Sequence, residues 1–151
     1  MTALPARPVL PDWPARAIAI LTTVDSDTAG GPHAIPVSAL VRAGEHTILL
    51  SLHRSRGSLA RLRIRPQVAL LLLAEGNMIF TARGTAQVMA EPMLGAPDYA
   101  AVEINVTGLD DHRQGEVDET RALADRISTL QLLASMRLRC RATAPGAGGW
   151  L

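Results

Sequence analysis

The sequence predicts a mainly β fold, a small antiparallel barrel accompanied by two helices. Short apolar and β-branched segments recur between residues 17 and 109, with glycine, proline or aspartate turn signals between them. About six strands within about ninety residues are typical of a small barrel. Two further segments carry apolar residues at helical spacing, and one of them is strongly basic.

The predicted strands are apolar runs bounded by turn residues, such as the DSDTAGG sequence at residues 25–31. Pro36 lacks a backbone N–H and therefore predicts an edge strand or a bulge. Gly84 predicts a bulge at which a long strand can bend. Val102, Ile104 and Val106 share one face of the last run, which is the period of a half-buried strand. The predicted strands span residues 17–24, 32–41, 46–52, 67–73, 78–91 and 100–109.

Two segments are predicted to be helical. The first begins near Ser55, whose hydroxyl can cap free backbone amides, and it ends before Pro66 because proline disfavours helical geometry in the residue before it. The second covers about residues 118–137. We expect this helix to pack along the barrel or against a partner through apolar residues at helical spacing, namely Leu123, Ile127, Leu130 and Leu133.

Composition predicts a single domain over residues 1–151, with the barrel at about residues 15–112. The chain is 48% hydrophobic and 19% charged, which suits one compact domain with a core. Its formal net charge is +1, and it contains no lysine, so arginine supplies all the side chains counted as positive. Because there is no global excess of positive charge, we do not expect nucleic acid as a partner.

Several features bear on the location of the protein. A single cysteine, Cys140, cannot form an internal disulfide, which suits a reducing compartment such as the cytoplasm. The amino-terminal segment is interrupted by prolines and carries Asp12, so it lacks the continuous apolar core of a secretory signal. The longest apolar run, residues 68–74, is too short to span a bilayer. We therefore expect a soluble cytoplasmic protein with no membrane partner.

Five arginines lie between two apolar runs in the segment SLHRSRGSLARLRIRPQVALLLL, residues 51–73. Three of them, Arg61, Arg63 and Arg65, fall within the predicted basic helix. If the leucines of that helix pack inward, these three arginines can point into solvent. This part of the basic segment is therefore predicted to be surface.

The first two arginines, Arg54 and Arg56, lie where a strand ends and the helix begins, beside Ser55 and Ser58. The amides at a helix amino terminus are free to donate, the helix dipole favours negative charge, and arginine holds a phosphate with two parallel hydrogen bonds. Gly57 allows close approach of a ligand to the backbone. The residues alone leave two interpretations open, a phosphate-binding junction or a solvated basic helix.

The order of the segments resembles the pyridoxamine 5′-phosphate oxidase-like family of flavin-binding split barrels. The segments that carry the resemblance are AIAILTTVDSDTAGGPHAIPVSAL, HTILLSLHRSRGSLARLRIRPQVALLLL, FTARGTAQVMAEP and YAAVEINVTGLDDH. Together they cover roughly residues 17–112. The resemblance implies a split β-barrel, a homodimer, and a groove between protomers that binds the phosphate of FMN or, in some relatives, of a deazaflavin coenzyme.

The resemblance also implies roles for particular residues. The junction from Ser51 to Ser58 would hold the cofactor phosphate, and Arg56 matches the family's basic residue there. Many members have a lysine where this chain has Ser58, and a serine hydroxyl offers one neutral hydrogen bond in place of a charged one. The backbone of residues 36–38 would pass under the isoalloxazine ring. The full set of predicted cofactor-binding residues is Pro36, Val37, Ser38, Ser51, Leu52, His53, Arg54, Ser55, Arg56 and Ser58.

The function predicted from this resemblance is that of an FMN-binding oxidoreductase of unknown substrate. One alternative is a deazaflavin-dependent reductase, and another is a non-enzymatic dimeric binding module that has lost tight flavin binding. The substrate-binding motif of the true oxidases is not visible, because Trp150 has no matching arginine after it, so oxidation of pyridoxamine phosphate is not expected. No residue identifies itself as catalytic, and the spacing of the four histidines predicts no metal site.

Overall fold

The computed structural model describes residues 6–25, 30–113 and 119–142. The chain divides into two compact units, Met1–Arg113 and Gln114–Leu151. The elements of the first unit are β1 (Ile18–Val24), β2 (Pro32–Val37), β3 (Leu40–Arg42), β4 (Thr47–His53), α1 (Gly57–Ile64), β5 (Gln67–Ala74), β6 (Met78–Ala90) and β7 (Tyr99–Asp111). The second unit contains α2 (Glu119–Ala142).

The strands form one antiparallel sheet in the order β2-β1-β5-β6-β7-β4-β3. The two edge strands, β2 and β3, are consecutive in the chain and are joined by only Ser38 and Ala39. Because so short a connection links opposite edges, the sheet curls until those edges approach each other. This is the half-barrel architecture of a split barrel, and the predicted fold class is confirmed.

The prediction of one strand at residues 32–41 was wrong. The segment is divided at Ser38 and Ala39, because the chain leaves β1 at one edge of the sheet and begins to pair with β4 at the other. A single ladder cannot continue across that change of partner. Pro36 lies in the edge strand β2, as its missing N–H predicted.

The long strand β6 changes register where glycine predicted a bulge. Its pairing with β7 shifts between Arg83 and Gly84. A Cβ atom at Gly84 would lie 2.1 Å from the backbone oxygen of Asn105, a separation that no side chain tolerates. Glycine is therefore required here because the two backbones approach closely.

The core lies on the concave side of the sheet. Val102, Ile104 and Val106 are completely buried, as their alternation predicted. Ile48, Leu50 and Leu52 of β4 are buried beside them, and helix α1 adds two leucines to the same cluster. The buried inner face of β4 therefore fixes this strand in the core, and the predicted phosphate junction follows its carboxyl end.

Helix α1 differs from its prediction at one end only. It begins at Gly57, its N-cap residue is Arg56, and no side chain caps it. The capping role predicted for Ser55 was wrong, because its hydroxyl is hydrogen-bonded to His53 instead. The helix ends before Pro66, as predicted, and it turns Leu59 and Leu62 inward.

Helix α2 continues five residues beyond the predicted end at residue 137. The apolar side chains predicted to pack, Leu123, Ile127, Leu130 and Leu133, are exposed. A packing partner for this face stays a prediction. None of the helices in the described ranges has the length and apolarity that crossing a bilayer requires. The predicted turn at residues 25–31 lies largely outside the described residues, as do the first residue of the predicted helix and Trp150.

Candidate functional site

A cleft of about 660 Å³ opens where three segments of the first unit meet. These are the end of β2 with the following Ser38 and Ala39, the end of β4 with the start of α1, and the loop between β6 and β7. Its volume falls in the range of clefts that bind small molecules and cofactors. The cleft is lined by Ile35, Pro36, Val37, Ser38, Ala39, Ser51, Leu52, His53, Ser55, Arg56, Met93, Ala96 and Tyr99.

Eight of the ten predicted cofactor-binding residues line this cleft, and Arg54 and Ser58 do not. The sequence did not predict the other five: Ile35 and Ala39 adjoin the predicted residues 36–38, and Met93, Ala96 and Tyr99 come from the β6–β7 loop and the start of β7. The glycine and prolines of that segment, EPMLGAPDY, indicate a loop. No signal in the segment shows that the loop folds against the β4–α1 junction.

The junction is held in a tight turn by His53. Its backbone oxygen accepts a hydrogen bond from the Arg56 amide at 3.0 Å. Its Nδ1 accepts one from the Ser55 amide at 3.2 Å and lies 2.7 Å from the Ser55 hydroxyl. Because an amide can only donate, Nδ1 must be the acceptor, and a neutral His53 ring carries its proton on Nε2. Among the described residues Nε2 has no partner, so the cleft contains a ring N–H that can donate to a ligand.

The ring of Tyr99 fixes the other side of His53. The two ring centres lie 5.3 Å apart with the planes at 76°, an edge-to-face contact. Two backbone hydrogen bonds close the loop that leads to Tyr99. The Met93 amide donates to the backbone oxygen of Tyr99 at 2.8 Å, and the Ala96 amide donates to the backbone oxygen of Met93 at 3.1 Å. This compact loop forms one wall of the cleft.

Arg54 holds that loop instead of lining the cleft. Its Nε lies 3.5 Å from Oε1 of Glu91, and one guanidinium nitrogen donates to the oxygen of Pro97 at 3.2 Å. Its amide donates to the oxygen of Asp98 at 2.8 Å. Arg63 also donates to Glu91 from the last turn of α1, and this hydrogen bond is the main reason that the pKa of Glu91 is lowered. Arg54 is therefore committed to a contact between the junction and the loop.

Among the residues that the structure describes, Arg56 is the only arginine that lines the cleft, and its side chain is exposed. It occupies the N-cap of α1, where no side chain satisfies the first amides of the helix. The cleft wall thus carries a guanidinium at the amino terminus of α1, whose dipole favours negative charge. Within the described part of the chain, no acidic side chain lines the cleft to compete for this arginine.

Ser58 and Arg61 lie on the opposite side of the junction. Ser58 is only 1% exposed, and a guanidinium nitrogen of Arg61 lies 3.4 Å from its hydroxyl oxygen, to which it donates. The Nε of Arg61 donates to the hydroxyl of Thr23 at 3.0 Å, and another guanidinium nitrogen lies 4.0 Å from Asp25. The prediction that Arg61 points into solvent was wrong, because its side chain is 20% exposed and spans α1 and β1.

The histidines of the described chain have separate partners. His33 pairs with Asp25 at 2.8 Å, His46 lies 2.8 Å from the oxygen of Pro8, and His112 lies 3.0 Å from the hydroxyl of Thr81. Within residues 6–25, 30–113 and 119–142, no three histidine, cysteine, aspartate or glutamate side chains form a group able to hold a metal ion.

Comparisons with known proteins place the fold. No protein-family model matches the sequence, and no curated protein matches it. Among solved structures, HupZ of Group A Streptococcus is similar over 65% of this chain and 86% of its own, with 16% identity and a TM-score of 0.55. A Clostridium acetobutylicum protein related to general stress protein 26, of the pyridoxinephosphate oxidase family, matches over 68% and 87%, with 18% identity and a TM-score of 0.50.

A third similar structure is named F420 reductase. The match covers 69% of this chain and 90% of that one, with 15% identity and a TM-score of 0.50. Identities this low establish the fold alone. The chain therefore has the split-barrel fold seen in proteins of the pyridoxamine 5′-phosphate oxidase type, as the resemblance of its segments predicted.

Proposed function

We propose that the chain binds FMN in the cleft and acts as a flavin-dependent oxidoreductase. The observation that carries this proposal is the position of Arg56 at the uncapped amino terminus of α1, on the wall of a cleft of about 660 Å³. A phosphate monoester suits that end of the cleft, because the Arg56 guanidinium can hold it with two parallel hydrogen bonds and the amino terminus of α1 favours negative charge. The bound flavin would supply the redox chemistry, and the protein would bind and orient it.

The remaining walls fit the other parts of a flavin. The Nε2–H of His53 can donate to a phosphate or a ribityl hydroxyl. β2 is an edge strand, so the sheet leaves backbone groups on its outer side unused, and Ser38 adds a hydroxyl at the same place. An isoalloxazine ring carries both donors and acceptors along one edge, which suits recognition by a strand edge.

A deazaflavin coenzyme is the alternative occupant of the same cleft. Such coenzymes also carry a phosphate, so the Arg56 end of the cleft serves both. The fold similarity to a protein named F420 reductase supports this alternative. Direct titration with each coenzyme distinguishes the two.

A second candidate function is that of a non-enzymatic split-barrel binding module. Two observations favour it: Arg54 is paired with Glu91, and Ser58 is buried against Arg61. Both leave Arg56 as the one arginine on the cleft wall among the described residues. A module of this kind would bind its partner or ligand without flavin, and it would show no flavin spectrum after reconstitution.

We also propose that the protein is a cytoplasmic homodimer. The sheet has two open edges, β2 and β3, and helix α2 exposes several large apolar side chains, among them Leu130 and Leu133. Burial of such surfaces against a two-fold mate would relieve both. Light scattering at micromolar concentration should give twice the 16.0 kDa mass of one chain. The mass of one chain would contradict the dimer.

The experiment that tests the proposed function is titration of the purified full chain with FMN and, separately, with a deazaflavin coenzyme. Binding quenches or shifts the fluorescence of either coenzyme, so both titrations share one readout. Saturable binding with a dissociation constant in about the micromolar range or below supports the proposal. If neither coenzyme saturates, the proposed function is wrong and the binding-module alternative stands.

A further inference from the structure

A second cleft, of about 490 Å³, lies directly beside the first. The two share Ser38, Ala39, Ser51 and Met93, so they adjoin each other. The other residues that line the second cleft are all apolar, namely Ala15, Leu40, Val41, Leu49, Leu50 and Ala101. We call this second cleft the apolar annex.

Strand register shows how the annex is built. Val41 lies directly opposite Leu49 in the β3–β4 pair, and Ser51 lies directly opposite Ala101 in the β4–β7 pair. Since Ile48 and the alternate residues of β4 are buried in the core, Leu49 and Ser51 belong to the outer face of the sheet. The outer face thus contributes Leu49 and Ser51 to the annex, and the opposed inner-face pair Leu40 and Leu50 lines it as well.

The apolar character of this face is local. Polar residues begin beside the annex on the outer face, where Glu103 lies directly opposite Leu49 and Asn105 lies directly opposite Thr47. Val41, the middle residue of the three-residue strand β3, is 57% exposed. Apolar side chains are thus concentrated where the outer face meets the candidate cofactor cleft.

Charge decides which kind of ligand suits the annex. None of the described residues that line the annex is charged, and Glu103 of β7 lies directly opposite its Leu49. An anionic ligand would lose hydration there without gaining an ion pair, whereas an uncharged apolar ligand gains from burial. A phosphorylated or carboxylated substrate does not fit this environment.

We propose that the apolar annex binds an uncharged, largely apolar small molecule next to the coenzyme, and that compounds of this class are the substrates. The inference about substrates rests on the proposed function, because it requires a coenzyme in the first cleft. The shared residues Ser38 and Ser51 would place such a molecule in contact with the coenzyme. Their hydroxyls supply the polar groups through which a ligand in the annex can be oriented.

The proposal is tested with two probes of similar size that differ in charge. One is 2-acetonaphthone, which is uncharged, and the other is 2-naphthoate, which is an anion. Calorimetric titration is carried out on the full chain saturated with FMN. We expect saturable binding of 2-acetonaphthone with a dissociation constant of about 100 µM or tighter. We expect 2-naphthoate to bind at least about tenfold more weakly. Equal affinity for both probes, or no binding of the uncharged one, would overturn the proposal.

Two variants assign the binding to the annex. Val41→Asp places a carboxylate on an exposed annex position, and Ile18→Asp makes the same kind of change at an exposed strand residue outside both clefts. We expect Val41→Asp to weaken 2-acetonaphthone binding at least about tenfold and to leave FMN affinity unchanged. Ile18→Asp should change neither affinity. If the two variants bind the probe equally well, the annex is not its site.

The same titrations separate failure of this inference from failure of the proposed function. If FMN binds but 2-acetonaphthone does not, the inference falls and the coenzyme site stands. If 2-acetonaphthone binds but no coenzyme does, the proposed function falls, and with it the assignment of a substrate class. If Val41→Asp instead converts a dimer to a monomer, and the wild-type chain does not bind the probe, the annex is a self-association surface and the inference is wrong.

Discussion

The Nε of Arg54 lies 3.5 Å from Oε1 of Glu91, and this ion pair connects the β4–α1 junction to the loop that forms one wall of the cleft. Arg63 donates to the same carboxylate from the last turn of α1. One glutamate therefore holds two of the five arginines in the basic segment. The two neighbouring arginines therefore have different roles: Arg54 positions the cleft wall, and Arg56 lines the cleft.

The first prediction concerns Arg56. Arg56→Ala should weaken FMN binding by about 1.5 to 3 kcal/mol, because it removes a charged hydrogen bond to the phosphate. Fluorescence titration measures the change, and riboflavin, which lacks the phosphate, should bind the variant and the wild type alike. Arg126→Ala is the matched control, since Arg126 is an exposed arginine of α2. Unchanged FMN affinity in Arg56→Ala would remove this residue from the phosphate site.

A second prediction follows from the bridge at Glu91. Glu91→Gln removes the charge that holds Arg54 and Arg63, so the loop should be less well fixed and FMN should bind about two- to fivefold more weakly. Asp111→Asn is the control, because the pair of Asp111 with Arg113 involves no residue of the cleft. If both variants retain the wild-type affinity for FMN, the bridge does not position the cleft wall.

The same bridge predicts a pH dependence of stability. The pKa of Glu91 is held below its usual 4.5, first by the hydrogen bond from Arg63. A carboxyl group whose pKa is lower in the folded chain stabilises the fold at any pH above its pKa in the unfolded chain. This stabilisation is lost as the pH falls through its pKa in the folded chain. The Tm of the wild type should therefore exceed that of Glu91→Gln at pH 6, and the difference should shrink below about pH 4.5. A difference that stays constant down to pH 3 would contradict the ion pair.

Asp111 provides the comparison for this measurement. Hydrogen bonds from Arg113 lower the pKa of Asp111 to about 2. By the same reasoning, the Tm advantage of the wild type over Asp111→Asn should persist to lower pH than the advantage over Glu91→Gln. Loss of both advantages over the same pH range would show that the two carboxyl groups are not distinguished as the contacts indicate.

The close approach of β6 and β7 predicts the effect of a single methyl group. Gly84→Ala would place a Cβ atom 2.1 Å from the backbone oxygen of Asn105, so the strands must separate. We expect a loss of at least about 2 kcal/mol in the free energy of unfolding, measured by urea denaturation. Gly31→Ala is the control, because a Cβ atom there meets nothing within 4 Å. Equal stability of the two variants would be inconsistent with the close approach of the β6 and β7 backbones at Gly84.

Arg61 should prove to be a structural residue. It donates to the hydroxyl of Thr23, which is completely buried, so Arg61→Met should destabilise the chain by about 1 to 3 kcal/mol. A double-mutant cycle with Thr23→Val measures the pair itself, and we expect a coupling energy of about 1 kcal/mol. Zero coupling would mean that the two side chains do not interact in solution.

Local patterns predicted much of the fold because they depend on neighbouring residues. The alternation of Val102, Ile104 and Val106 identified a buried strand face, and Pro66 ended α1 at the expected place. Gly84 identified the register shift. The division of residues 32–41 into two strands was not predicted, because the change of partner from β1 to β4 leaves no mark in an apolar run.

The candidate site divides in the same way. The cleft residues from Ser51 to Arg56 were found because they are nearly consecutive, so one stretch of sequence carries them all. Met93 and Tyr99 were missed because their place in the cleft depends on contacts across the fold, such as Arg54 with Glu91. The solvent exposure predicted for Arg61 was wrong for the same reason, because nothing near Arg61 in the sequence indicates Thr23 as its partner.

The sequence by itself determined the strand periodicity, the position of the basic junction and the class of fold, because each depends on the order of residues along a short segment. Only the tertiary structure decided which arginine lines the cleft, which loop walls it and that an apolar annex adjoins it. Those properties arise where β3, β4, β7 and the β6–β7 loop come together. The physical reason is that ion pairs and clefts form between segments distant in the chain, whereas alternation and helix ends are local.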